Sequence, residues 1–189
     1  ELFDTGINKV EHAQIAHVAE VENKTGLGSV IAQYEGMFEI RLKEGAPGIG
    51  KVARFPVKED VAVLIYKPIK TREVLSSQEK LNLVKKAFGS KHYDLLKDFS
   101  IEKFCKLSRS FAIESNLMSE RLRCILSKAE EFGLSGSMLM LGEGLFLFGD
   151  QLETKVSKLL SEIRPEDKPR TIFITEIDNF GVWRVKQNE

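Results

Sequence analysis

A carboxylate at the end of a helix, followed closely by a glycine-bearing turn, can hold a divalent cation beside exposed backbone N–H groups, which is what transfer of a phosphoryl group requires. The chain offers one such place. From His17 to Gln33 it reads His-Val-Ala-Glu-Val-Glu-Asn-Lys-Thr-Gly-Leu-Gly-Ser-Val-Ile-Ala-Gln. Glu20 falls near a predicted helix end, and Thr25, Gly26 and Gly28 form a turn in which positive φ or close approach of a ligand is allowed. The same pattern also fits a plain helix C-terminus with a glycine cap and a solvated Glu, and the spacing alone leaves both readings open.

Other chemistry-bearing residues read more simply. His12 and His17 stand five apart, about 140° around a helix, so they do not make a metal pair, and His17 reads as a hydrogen-bonded packing histidine. Cys105 and Cys124, the two cysteines, lie in helical-looking segments without neighbouring ligands and read as reduced core thiols of a cytoplasmic protein. The helix bearing Lys80, Lys85 and Lys86 reads as a solvated face. Phe99, Phe104, Phe111, Phe146 and Phe148 read as core, and Trp183 as an interface residue or a sheet cover.

The elements that position these residues follow from periodicity. Val10–Val21 is predicted as a helix with Asn8 as its N-cap. Residues 30–34 and 38–42 alternate as a β-hairpin turning near Glu35-Gly36, with a Gly/Pro-rich loop over 44–50. Residues 61–66 form an apolar strand. Helices are predicted over 76–88, 93–98, 101–114 and 119–132, strands over 137–141 and 145–148 joined by a turn at Gly142-Glu143-Gly144, a helix over 152–163 and a strand over 171–177. The order from residue 61 is a split βαβ plan: a four-stranded antiparallel sheet with helices on one face and an enlarged first crossover. The expected fold class is therefore α+β. Residues 1–60 do not fit that plan and read as the end of a different domain, with 61–189 as the second.

Composition narrows the function. The 28 basic and 28 acidic residues cancel, which removes the positive field that nucleic-acid binding relies on. No apolar run reaches the roughly 20 residues of a membrane span. Because the chain opens on Glu1 and runs straight into an amphipathic helix without a signal-peptide pattern, an upstream portion is expected to be missing.

The run from Ala16 to Gln33, continued by Gly36, Ile40-Arg41 and Gly45-Ala46-Pro47-Gly48, resembles the signature of the archaeal pantoate kinases, members of the GHMP superfamily. More loosely, residues 108–117 resemble that family's helix-to-substrate segment and Gly136–Gly142 its third motif. The resemblance implies the end of a GHMP-type N-terminal domain followed by a ferredoxin-like βαββαβ domain with extra helices. It implies transfer of the ATP γ-phosphoryl group to a hydroxyl of pantoate, on the archaeal route to coenzyme A. It places Glu20 as a Mg²⁺ ligand, Ser29 at the catalytic position, and Thr25, Gly26, Gly28, Gln33, Gly136 and Ser137 at the substrate. A homodimer through the C-terminal sheet or Trp183 is a family-level expectation.

Two departures accompany the resemblance. Ser29 stands where the pattern has Asp, so a carboxylate that could orient the acceptor hydroxyl is lost; Met37 stands where a second glycine is usual, which bears on backbone geometry. The family's glycine-rich phosphate loop would lie upstream of Glu1, so this chain by itself is expected not to bind ATP tightly or to turn it over. Two other readings remain: a sibling kinase for homoserine or a mevalonate-like acid, and a degenerate paralogue that binds nucleotide or metabolite without turnover.

Overall fold

The computed structural model describes residues 6–26, 28–68, 76–89, 91–140 and 142–182; Leu27, Leu141 and Trp183 lie outside these, and with Trp183 the reading made of it. The chain divides into two compact units. One contains the described residues up to Val57 together with those from Asp178 on; the other is Lys58–Ile177.

The first unit opens with α1 (Lys9–Glu22), whose N-terminus is fixed by a reciprocal capping box: Glu11 N–H donates to Asn8 Oδ1 at 3.0 Å, and Asn8 N–H to Glu11 Oε2 at 2.8 Å. A second helix, α2 (Ser29–Glu35), follows. This corrects the hairpin expected here, because residues 30–34 are helical. Their β-branched composition favours a strand, but tertiary packing overrides it: α2 packs against α1, and Ile31 is buried to 1% exposure. Positive φ at Gly36 and Met37, both +66°, then turns the chain into β1 (Phe38–Lys43). The partner of β1 is β2 (Lys51–Phe55), a strand the sequence reading lacked, on the far side of the 44–50 loop.

Residues 178–182 fasten onto this unit. Met37 N–H donates to Asp178 O at 2.7 Å, and Val182 N–H to Gln33 O at 2.8 Å. Asn179 bonds both backbone groups of Val57, at 3.0 and 2.7 Å. Gly36 and Gly181 pass so close that a Cβ on Gly36 would sit 2.4 Å from Gly181 N, which is why neither carries a side chain.

The second unit runs β3 (Asp60–Pro68), α3 (Gln78–Phe88), α4 (Lys91–Lys97), α5 (Ile101–Glu114), α6 (Glu120–Glu131), β4 (Ser135–Met138), β5 (Gly142–Phe148), α7 (Leu152–Glu162), a 3₁₀ turn (Pro165–Asp167) and β6 (Thr171–Glu176). Its four strands form one antiparallel sheet, as the element order led us to expect, and they lie in the order β4-β5-β3-β6. Ser77, Ser100 and Ser119 each cap the helix that follows with their side chain. The β4–β5 reversal lies ahead of Gly142, not at Gly142–Gly144 as composition suggested, and those glycines belong to β5. Gly144 is needed for packing, since a Cβ there would lie 2.8 Å from Leu64 O.

The core of this unit is aliphatic: Leu64, Leu122, Leu126, Leu145, Leu147 and Leu159 are all buried. Strand alternation puts Leu145 and Leu147 on one face of β5 and Phe146 and Phe148 on the other. Of the five phenylalanines expected in the core, Phe148 is buried and the other four are half-buried. Cys105 is buried as expected, whereas Cys124 is exposed, because Leu122, Ile125, Leu126 and Ala129 occupy the inward face of α6.

Candidate functional site

The end of α1 and the start of α2 are drawn together around one carboxylate. Thr25 closes the helix, its N–H and Oγ1 both donating to Glu20 O, at 3.0 and 3.3 Å. The turn then returns Ser29 to Glu20, and Ser29 Oγ donates to Glu20 Oε1. Gly26 leaves room for this approach, since a Cβ there would be 2.3 Å from Glu20 Oε1 and would push the carboxylate aside.

Glu20 is only 8% exposed, an uncommon position for a carboxylate. Its second oxygen, Oε2, is buried and accepts no hydrogen bond; the polar group facing it is His17 Nδ1 at 3.7 Å, which is also buried and unpartnered. The hydrogen-bonded packing role expected of His17 is therefore not met at Nδ1, which instead faces the carboxylate. A buried charge with one open oxygen is costly unless a cation completes it, and that is the sense in which these residues fit a metal. Among the described residues no group of three or more His, Cys, Asp and Glu side chains is set to hold a metal ion unaided. A cation at Glu20 would thus take its remaining ligands from water or from a substrate, the habit of Mg²⁺.

Arg41, on β1, is the residue the sequence reading left without a role. Its Nη2 donates to Gly28 O at 3.2 Å and to Glu39 Oε1 at 3.1 Å, and its Nε is buried without a partner. A guanidinium thus lies over the same turn as Glu20 and Ser29. The available signal was an arginine in a short strand beside the buried Ile40, a place where a charge calls for a partner.

The structure thus brings Glu20, Thr25, Gly26, Gly28 and Ser29 together, and adds His17 and Arg41. Gln33 stands apart, exposed on α2, where it lines a cavity of about 570 Å³ with Ile7, His12, Ala13 and Tyr34. Gly136 and Ser137 belong to the second unit. Ser137 is fully buried with its hydroxyl unpartnered, and a Cβ on Gly136 would lie 2.0 Å from Phe146 O, so close packing of β4 on β5 accounts for the small residues.

No protein-family model matches the chain. A curated pantoate kinase of Methanospirillum hungatei is 34% identical over 157 residues, covering 83% of this chain and 52% of that one. A pantoate kinase of Thermococcus kodakarensis is 35% identical over 175 residues, covering 90% and 57%. The chain spans about half the length of the curated relatives it matches. Among solved structures, a phosphotransferase related to the CoA biosynthesis pathway superposes with a TM-score of 0.80 at 31% identity, over 93% of this chain and 57% of that one. A mevalonate kinase superposes with a TM-score of 0.58 at 17% identity, over 92% and 58%, a likeness of fold alone.

Proposed function

The chain is a homologue of the pantoate kinases over most of its own length, and from that premise we propose that it is part of an ATP-dependent kinase that phosphorylates a hydroxyl of pantoate. The observation that carries this reading is the buried Glu20 carboxylate with one unpartnered oxygen, held against the Thr25–Ser29 turn. In the same reading, the second unit with its β4-β5-β3-β6 order is the ferredoxin-like C-terminal domain of a GHMP kinase, and the first unit belongs to the end of the N-terminal one.

Mg²⁺, when bound, would neutralise the nucleotide phosphates. The chain's own residues do the rest by position. Ser29 fixes one oxygen of Glu20 so that the other is presented, Gly26 leaves the carboxylate room, and His17 walls its open side. Ser29 cannot act as a general base near neutral pH, so it serves as a positioning residue; phosphoryl transfer tolerates this because it depends chiefly on orientation and charge. Arg41 supplies a guanidinium over the turn, the kind of group that pairs with a carboxylate such as pantoate's.

The test is ADP release by the full-length protein given ATP, Mg²⁺ and pantoate, homoserine or mevalonate. Pantoate alone should support turnover, and Glu20→Gln should lower kcat about 100-fold. Turnover with homoserine or mevalonate instead would identify a sibling kinase. Nucleotide binding without turnover of any acceptor would identify a non-catalytic relative.

A further inference from the structure

Strand β1 carries an ion pair whose geometry is poor for stability. Glu39 and Arg41 stand two apart and therefore on one face of the strand, both half-buried, and Arg41 Nη2 donates to Glu39 Oε1 at 3.1 Å. The cross-strand partner that register offers Glu39 is Arg54, but Arg54 turns instead to Glu35 at 2.9 Å. Glu39 is thus left to Arg41. A carboxylate and a guanidinium in contact can form a fork of two parallel bonds, yet here one is made, while Glu39 Oε2 and Arg41 Nε are both buried without a partner. Unmet polar atoms on both sides of one pair are costly, so the pair is not arranged for its own strength.

What the arrangement does fix is the guanidinium of Arg41. Its Nη2 is held from two sides, by Glu39 Oε1 and by Gly28 O at 3.2 Å, and its Nε is enclosed. Gly28 lets the group lie on the turn, since a Cβ there would meet Nη2 at 3.0 Å and Nη1 at 3.4 Å. Nη1 is then the donor left open: it has no partner among the described residues and, unlike Nε, is not buried. A long, rotamer-rich side chain keeps one pose only where its neighbours outweigh the entropy of ordering it. The Gly28 carbonyl supplies one anchor, and Glu39 supplies the second. We propose that Glu39 is a positioning residue that acts through Arg41, holding the guanidinium so that Nη1 meets the carboxylate of the acceptor. The inference rests on the kinase reading and extends it to a residue that itself touches no substrate.

Steady-state kinetics of the full-length protein with ATP, Mg²⁺ and varied pantoate test this. Glu39→Ala should raise KM for pantoate about tenfold and leave KM for ATP where it was. Glu39→Gln keeps an acceptor oxygen in place and should recover most of that loss. In an Arg41→Ala background the Glu39→Ala change should add nothing, because Glu39 has no other route to the acceptor. Damage to folding alone would reduce the active fraction, and so kcat, at constant KM. A fall in KM for pantoate on Glu39→Ala would show that Glu39 competes with the acceptor for Arg41, and it overturns the proposal. So does an unchanged KM, a Glu39→Gln protein no better than Glu39→Ala, or an equal rise with and without Arg41. A natural protein idle with pantoate overturns the kinase reading and this inference with it, whereas turnover by the natural protein with Glu39→Ala unmoved overturns the positioning role alone.

Discussion

At the residue scale the site rests on a short list of contacts whose logic can be tested at Ser29. Its hydroxyl donates to Glu20 Oε1, a favourable neutral-to-charged bond in a half-buried setting. Replacing Ser29 by Asp introduces a second carboxylate and sets two negative groups against each other beside the buried Glu20. Without a cation, Ser29→Asp should destabilise the chain by about 1–2 kcal/mol, lowering Tm by about 3–6 °C. With a cation between the carboxylates the sign reverses, so added Mg²⁺ should raise the Tm of the variant more than that of the natural sequence. Equal Mg²⁺ shifts measured by calorimetry would show that the two side chains do not share a cation. Glu20, Thr25, Gly26 and Gly28 were legible as a group because they follow one another along a local turn, whereas Ser29 entered only through the resemblance. Arg41 joins from β1, through a fold that spacing along the chain does not report. Met37 is a case between the two: its departure from glycine pointed to backbone geometry, and it does adopt φ +66°, the left-handed region that L side chains occupy at a cost.

Elements were legible where one periodicity and one cap agreed. The helix α1 begins at the Asn8 cap read from the sequence, and the helices after Ser77, Ser100 and Ser119 begin where a serine satisfies the first turn. Legibility failed where partners are distant. Residues 30–34 have strand-like composition and became α2, since burial of Ile31 in the tertiary fold outweighs local preference. Strand β2 was invisible because its only pattern is its pairing with β1. The return of residues 178–182 to the first unit is the longest-range of these, and Asn179 is its anchor. Its side chain replaces both hydrogen bonds that Val57 would otherwise make in a sheet, 122 residues earlier in the chain. Asn179→Ala removes both and leaves the backbone groups of Val57 unmet, so it should cost about 2 kcal/mol. Hydrogen exchange at the amides of Met37 and Val182, which are also held by this segment, should quicken in step. Unchanged protection at those two amides would show that the segment is held without Asn179.

For the molecule as a whole, the sheet unit carries two weak acids inside an aliphatic core, and they set its response to alkali. Cys105 on α5 is 2% exposed, and burial pushes its thiol from an ordinary value of 9.0 up to about 12. Tyr66 on β3 is 3% exposed; burial raises its phenol well above the ordinary 10.0, against the opposing pull of the Arg121 guanidinium. Both groups hold their protons in the folded chain at pH values where the unfolded chain releases them. Stability from these burials is therefore complete below pH 9 and declines as pH rises, first through Cys105 and then, above 10, through Tyr66 as well. Each proton retained contributes a slope approaching about 1.4 kcal/mol per pH unit once its unfolded form is ionised. Urea unfolding at steps from pH 8 to 11 should show the natural chain losing stability from pH 9. Cys105→Ala should lie flatter between 9 and 10 and then turn downward with Tyr66. Parallel decline of the two proteins across the first unit of that range would mean that the thiol ionises as readily in the fold as out of it.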